Sequence, residues 1–291
     1  MAKFDYKIAE TLEDAVQLLN EPSIRSIPLA GGTDIFVAIR VNPSWFDRLV
    51  DIQRIPQLTE INQEGTQIKI GAAVTFAQAI ENPLLQKNTP FLLEACKTIG
   101  GPAIRNCGTL GGNVANAAAC ADTIPALVCL EAIAHLQSAS GNRQIPVEEL
   151  LTGPHKTQIN KGELLTHFTF QLPPEDAKSS FIKIGRRKAQ SISRLSIAVI
   201  GKVDQDGKID YIRLCPGAAI AKPSRFRNVE DMLMGKSPEK DLFSTVGDQL
   251  VSEMIASTGR RWSTEYKEVT LKAITERALT RIFLEEESHD H

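Results

Sequence analysis

Two stretches of this chain combine glycine, small polar side chains and a carboxylate where a helix is expected to begin. The first is Leu29-Ala30-Gly31-Gly32-Thr33-Asp34. Glycine there permits positive φ and lets a ligand come close to the backbone. Free N–H groups at a helix start suit a phosphate or pyrophosphate. Thr33 offers a hydroxyl, and Thr33 or Asp34 could cap the helix. The order is not G-x-G-x-x-G and no Gly-Lys-Ser/Thr follows, which excludes a Rossmann fingerprint and a P-loop. An ordinary tight strand-to-helix turn would use the same residues.

The second stretch is Ile104-Arg105-Asn106-Cys107-Gly108-Thr109-Leu110-Gly111-Gly112-Asn113, continued by Ala115-Asn116-Ala117-Ala118-Ala119 and then Asp122. So many small residues in a row build little core. They let backbone lie against something large and flat. The Thr-x-Gly-Gly-Asn order offers several backbone N–H groups, a hydroxyl and an amide, and Asp122 can accept from sugar or ribityl hydroxyls. That is chemistry for an anionic, hydroxyl-rich ligand. A tightly packed helical connector with Asp122 as a plain N-cap is the competing structural account.

The remaining candidates for chemistry are weaker. The cysteines are Cys96, Cys107, Cys120, Cys129 and Cys215. Their odd number and the absence of an export signal argue against a disulfide framework. No C-x-x-C occurs and the spacings fit neither zinc nor ferredoxin patterns, so most are read as small buried residues. The five histidines show no metal spacing, and the terminal pair His289 and His291 is expected to ligate nothing.

The elements that must position these residues follow from periodicity. Thr11 caps a helix with Leu12, Ala15, Val16 and Leu19 on one face, stopped by Pro22. Ile24 to Leu29 reads as a buried strand, a helix starts at Ile35, and Arg48 to Ile52 is a second strand. Alternating strands and helices predict a small parallel sheet. Leu58 to Ile61 and Gln67 to Val74 flank a polar turn and predict a hairpin. Helices are expected over Thr75 to Ile80, over Phe91 to Ile99, and from Asp122-Thr123-Ile124-Pro125 onward. Gly100 to Ala121 is left as a long small-residue segment. Ala132 to Gln137 and Leu164 to Leu172 read as strands. Phe181 to Lys188, Leu195 to Val203 and Lys208 to Leu214 predict three more strands, the last two joined at Asp204-Gln205-Asp206-Gly207. Helices follow over Asn228 to Met234, after a Ser237-Pro238-Glu239 cap, and from Thr264 to about Leu284.

Three textures predict three parts: 1–55, 56–177 and 178–291. The expected class is α+β. The parts are a small N-terminal βαβ subdomain and a middle antiparallel-sheet α/β subdomain. A C-terminal three-stranded sheet with a helix bundle completes the chain. The 291 residues carry a formal net charge of −2, with 42% hydrophobic residues, which excludes whole-chain disorder and gives no electrostatic footprint for nucleic acid. No stretch approaches the length of a membrane span and the N-terminus has no apolar signal region, so a cytoplasmic protein is expected. Glu285-Glu286-Glu287 reads as a solvated tail.

At its two glycine loops the sequence resembles the FAD-binding medium subunit of molybdenum hydroxylases, the family of xanthine, nicotinate and carbon monoxide dehydrogenases. The resemblance covers nearly the whole chain. It rests on Ala-Gly-Gly-Thr-Asp, on Ile-Arg-Asn-x-Gly-Thr-x-Gly-Gly-Asn and on Ala-Asp-x-x-Pro-Ala-Leu. A Gly-Glu-Leu-Leu segment at 162–165 and Lys183 followed by Arg186-Arg187 add to it. It implies a PCMH/VAO-like FAD-binding fold, with FAD expected between the first two subdomains. It implies that Ile27, Pro28, Leu29, Ala30, Gly31, Gly32, Thr33 and Asp34 wrap the FAD pyrophosphate from the N-terminal side. Thr109, Gly111, Gly112 and Asn113 would hold it from the middle subdomain, with Ile104 and Gly108 nearby. Asp122 would take the ribityl or adenosine-side hydroxyls, and Leu165 would pack on the flavin or adenine. Lys183 would sit near the isoalloxazine and tune its potential. Phe76, after the Gly71 to Thr75 strand end, would approach the flavin. Leu165, Phe76 and Lys183 read equally well as core residues and a face charge.

The resemblance also implies partners: a small subunit with [2Fe–2S] clusters and a large subunit with the molybdenum cofactor, in a hetero-oligomer. Electrons would pass through FAD to NAD or another acceptor, for hydroxylation of a purine or other N-heteroaromatic. No residue of this chain is expected as a general acid, a general base or a metal ligand. Thr152-Gly153-Pro154-His155-Lys156 resembles a segment of bacterial xanthine dehydrogenase medium subunits, or is an exposed loop. A free-standing FAD oxidase or dehydrogenase and a non-enzymatic assembly module are the alternatives.

Overall fold

The computed structural model describes residues 4–42, 44–187 and 189–285. The expectations for Lys188, for the tail beyond Glu285 and for His289 and His291 lie outside the described residues. Contacts divide the chain into two interleaved units. One is drawn from Met1–Gln86, Ile99–Ala118 and Glu131–Leu172, the other from Lys87–Thr98, Ala119–Leu130 and the chain from Pro173 onward.

The first unit begins with three parallel strands, β1 (Asp5–Ile8), β2 (Ser26–Leu29) and β3 (Arg48–Asp51), ordered β1-β3-β2. The crossovers are α1 (Leu12–Leu19) and α2 (Ile35–Val41). Thr11 starts α1 by accepting from Asp14 N at 3.1 Å, as its sequence position predicts. Ala15, Val16 and Leu19 then face the core. β1 carries no periodic signal because all four of its residues are exposed, and periodicity therefore misses it.

A 3-10 turn at Pro56–Leu58 leads to the hairpin of β4 (Ile61–Glu64) and β5 (Gln67–Gly71). With β6 (Ile133–Ser138), β7 (Gly141–Pro146) and β10 (Leu164–Gln171) they form an antiparallel sheet ordered β4-β5-β10-β6-β7. β7 reads as loop in the sequence because it is a polar edge strand with one buried residue, Ile145. α9 (Val147–Leu150) and the two-stranded β8 (Leu151–Gly153) and β9 (Lys156–Thr157) are likewise too short to show a pattern in the sequence. Ala15, Leu19, Val50, Ile55, Leu58, Ala73 and Leu164 form one buried cluster, which ties the parallel sheet to the antiparallel one.

α3 (Phe76–Glu81) opens with a capping box between Thr75 and Gln78. The region expected to be an unbroken small-residue segment contains two short helices, α6 (Pro102–Cys107) and α7 (Leu110–Asn116). Pro102 at N1 and Thr109 at the N-cap are ordinary start signals, masked in the sequence by surrounding glycine and alanine.

The second unit takes α5 (Pro90–Lys97) and α8 (Thr123–Cys129) from the middle of the chain, while α4 (Pro83–Asn88) runs up to the first of these segments. Its antiparallel sheet is ordered β11 (Lys178–Gly185), β12 (Ser193–Val203), β13 (Ile209–Gly217). The helices α10 (Arg227–Asp231), α11 (Lys240–Thr258) and α12 (Thr264–Phe283) follow. Leu195, Ile197 and Val199 of β12 share one core with Phe243, Val246 and Leu250 of α11 and Leu271, Ile274 and Ala278 of α12. Ser237 does not cap α11: the N-cap is Glu239, without a side-chain cap, and Pro238 precedes it.

Candidate flavin site

The loop Ala30 to Asp34 leaves the end of β2 and enters α2. Gly31 lies so close to the second loop that a Cβ there would stand 1.8 Å from Cys107 O and 2.4 Å from its carbonyl carbon. The two glycine loops are therefore in direct backbone contact, and the first position admits only glycine. Gly32 has φ +70°, in the left-handed region. Gln53 fixes the loop's entry by donating from Nε2 to Ala30 O. Among the described residues, the N–H groups of Gly31, Gly32, Thr33 and Asp34 donate to no protein acceptor. Asp34 stands at the N-cap of α2 and makes no side-chain cap, so the capping expected of Thr33 or Asp34 is not realised.

The second loop is organised differently. Thr109 caps α7, its Oγ1 accepting from Gly112 N at 3.0 Å. Leu110 N donates to Val74 O at 3.0 Å and Gly111 N to Ala72 O at 2.8 Å. A Cβ on Gly111 would stand 2.5 Å from Ala72 O. The glycines here seat α7 against the end of β5. The expectation that this loop offers several available N–H groups is therefore corrected: those of Leu110, Gly111 and Gly112 are already engaged. The acceptors Ala72 and Val74 had no signal in the sequence, because a carbonyl contact depends on how close two segments fold, not on residue type.

The other first-unit candidates sit around these loops. Ile27 and Pro28 belong to β2, and Leu29 is buried at its end. Phe76 is buried with its ring against Gly108, 2.8 Å from where a Cβ would be, so it supports the loop from behind. Ile104 on α6 is 41% exposed. Leu165 is buried in β10, paired with Leu136 of β6. Asn113 lies in α7. The Thr152 to Lys156 segment is the end of β8, a tight turn at Pro154-His155 with His155 at φ 55°, and the start of β9. His155 N donates to Ala117 O at 2.7 Å and its ring lies 3.0 Å from Asn116 O, which braces the end of α7.

Asp122 and Lys183 belong to the second unit and pair with each other. Lys183 Nζ stands 2.6 Å from Asp122 Oδ2 and also donates to Thr98 O at 3.1 Å. Their side chains are 4% and 9% exposed. Lys183 is therefore not a solvated face charge, and Asp122 makes no side-chain cap. Burial pushes the Asp122 carboxyl above its ordinary range, with Lys183 and then Ser193 opposing the shift. Its second oxygen, Oδ1, is buried without a hydrogen-bond partner. Nothing local in the sequence marks Thr98 or Ser193.

Three of the five cysteines, Cys96, Cys129 and Cys215, are buried, Cys120 is partly exposed, and Cys107 is exposed at the end of α6; all five are thiols outside any disulfide. Among the described residues no group of histidine, cysteine and acidic side chains could hold a metal ion, and no helix is long and apolar enough to cross a membrane.

The donor set suits an anionic, hydroxyl-rich ligand. In the first unit, four N–H groups that donate to no acceptor among the described residues flank a glycine whose Cβ space is filled by backbone.

Comparison with known proteins agrees. A family profile described as the FAD binding domain in molybdopterin dehydrogenase matches residues 2–173. A second, the CO dehydrogenase flavoprotein C-terminal domain, matches residues 180–282. The chain is 29% identical to the xanthine dehydrogenase FAD-binding subunit of Escherichia coli O157:H7, over 94% of both chains. It is 29% identical to the glyceraldehyde dehydrogenase medium chain of Sulfolobus acidocaldarius, over 96% of this chain and 98% of that one. The fold superposes on a chain of reconstituted CO dehydrogenase from Oligotropha carboxidovorans with a TM-score of 0.89 and 26% identity, over 96% of this chain and 97% of that one. The chain thus belongs to the FAD-binding medium-subunit family of the molybdenum hydroxylases, as an FAD-containing subunit of a xanthine dehydrogenase-like oxidoreductase.

Proposed function

We propose that this chain is the electron relay of a multi-subunit molybdenum hydroxylase. FAD, when bound, accepts electrons singly and passes them on as a hydride. Partner subunits are a small protein with [2Fe–2S] clusters and a large one with the molybdenum cofactor. The observation that carries the reading is the pair of glycine loops in backbone contact, with Gly31 against the Cys107 carbonyl and four N–H groups beside it that donate to no acceptor among the described residues.

In this reading the residues Ile27 to Asp34 cradle the diphosphate, and the N–H groups of Gly31 to Asp34 neutralise its charge. Thr109, Gly111, Gly112 and Asn113 form the opposing wall, with Ile104 and Gly108 at its edge. Phe76 buttresses that wall, and Leu165 supplies apolar surface for a ring. Asp122 accepts from hydroxyls of the cofactor, and Lys183 acts beside it. The chain supplies binding, orientation and exclusion of water; no side chain of its own serves as general acid or base.

The reaction served is hydroxylation of a purine or another N-heteroaromatic, with NAD or a different carrier as the final acceptor, in the cytoplasm. The named relatives span a purine, an aldehyde and carbon monoxide, which fits a substrate bound on another subunit. The division into 1–55, 56–177 and 178–291 is part of the same proposal. Isolation of the native complex tests it. Molybdenum, iron and FAD in one particle, with xanthine-dependent reduction of NAD, is the expected result. A stable lone chain that turns over a substrate without molybdenum or iron would overturn it.

A further inference from the structure

The sheet of the second unit has an open edge. β11 is an outer strand in the order β11-β12-β13. Phe181 N donates away from β12, to Glu94 Oε2 of α5 at 2.7 Å. Main-chain groups alternate along an antiparallel strand, so Lys183, two residues on without a register shift, also turns its N–H outward. The Lys183 ammonium is committed to Thr98 O and Asp122 Oδ2, but its main-chain N–H meets no acceptor among the described residues. Beside this stretch lies a cleft of about 410 Å³, lined by Phe181, Ile182, Lys183, Arg277, Arg281 and Glu285. From Arg277 to Glu285 the chain rises ~12 Å, and Phe181 to Lys183 span ~10 Å, so the cleft has the length of about three or four residues of extended chain. Arg281 is engaged by Glu94 at 3.0 Å. Arg277, one turn earlier on the same face of α12, is exposed and has no hydrogen bond or ion pair among the described residues.

We propose that this cleft takes an extended acidic segment of a partner subunit, added to β11 as a further strand, with a carboxylate seated on Arg277. The inference rests on the reading of this chain as one subunit of a hetero-oligomer. An open strand edge is a template for another chain, and its main-chain groups bind without regard to sequence. Arg277 supplies the selection, because a guanidinium takes a carboxylate through two parallel hydrogen bonds. A small anion would satisfy Arg277 and leave the edge bare. A second copy fits poorly: β11 reads Lys178-Ser179-Ser180-Phe181-Ile182-Lys183-Ile184-Gly185, so edge-to-edge pairing of two copies brings lysines and no carboxylate to the cleft. Charge complementarity therefore favours a different chain, one that carries the acid β11 lacks.

The test is amide hydrogen exchange on the tagged full chain, isolated alone and with its partner subunits, for wild type, R277E and R277K. In the lone wild type the Lys183 amide is expected to exchange at least ~10-fold faster than its neighbours bonded to β12, and to slow by ~100-fold in the complex. R277E should lower the molybdenum and iron recovered with the chain by ~10-fold or more, with R277K within about three-fold of wild type because the charge remains. FAD content and thermal melting of lone R277E should match wild type. Exchange of the wild type decides the strand pairing independently of any variant. A complex in which Lys183 exchanges as in the lone chain, or one that R277E leaves intact, would overturn the proposal and leave the relay reading standing. Isolation without molybdenum or iron would remove that reading, and the proposal with it. Protection of the lone chain that grows with its concentration would put a second copy in the cleft. Protection lost when the chain is ended at Glu285 would put its own acidic end there. Either result would also overturn the proposal.

Discussion

Gly31→Ala is the sharpest perturbation of the loop pair. The added Cβ would lie 1.8 Å from Cys107 O, 2.4 Å from Cys107 C and 3.0 Å from Gly108 N, all of them backbone atoms. No side-chain rotation relieves such a contact. To reach ordinary van der Waals separation the two loops must part by more than about 1 Å. Overpacking of this kind costs ~1–3 kcal/mol, which corresponds to a ~5- to 150-fold loss wherever the loops must close on a ligand. Gly65→Ala is the control: its φ is +59° but no atom lies within 4 Å of its Cβ, so it strains the backbone without a clash. It should cost ~1–2 kcal/mol of stability and leave FAD affinity unchanged. Flavin fluorescence titration measures the affinity and thermal melting of the FAD-free chain measures stability. FAD affinity of G31A within two-fold of wild type would refute the view that the two loops form one cofactor wall.

Three further outcomes follow from the same geometry. Thr109→Ala removes the α7 cap that accepts from Gly112 N and should cost ~1 kcal/mol in urea denaturation, with Thr109→Ser close to wild type. His167 stacks on His135 at 4.0 Å, and burial followed by the charge of His135 and Lys69 brings its pKa down to about 4. The unfolded chain therefore binds the proton more readily, so this contribution is complete above the ordinary histidine value and is lost as pH falls from ~6.5 towards 4; denaturation of H167F at pH 4.5 and 7.5 should show a smaller difference than wild type. Glu230 is buried, accepts from Leu214 N at 2.8 Å and pairs with Arg225 at 2.6 Å, so Glu230→Ala should destabilise the second unit by ~3–5 kcal/mol in chemical denaturation.

Much of the fold is legible from local signals. Thr11, with its apolar face at Leu12 to Leu19, and the turn at Asp204 to Gly207 are complete within a few residues, so periodicity and turn chemistry suffice. β1 and β7 escape because exposed or polar edge strands bury too little to show a pattern. α6 and α7 escape because glycine and alanine conceal ordinary caps. At the site, residue types point to the right loops but not to their use. Gly111 and Gly112 look like ligand donors, yet their N–H groups serve Ala72 O and Thr109 Oγ1. Lys183 looks like an independent cation, yet it is half of a pair with Asp122 across 61 positions of sequence. Both facts depend on which segments the fold brings together, which no local pattern encodes.

The central claim is that this chain holds FAD. Expression of the full chain, a visible-absorption spectrum of the purified protein and quantitation of released flavin test it most directly. The account predicts a yellow protein with one FAD per chain, or a colourless one that takes up one equivalent of added FAD. A folded chain that stays colourless with excess FAD would contradict it.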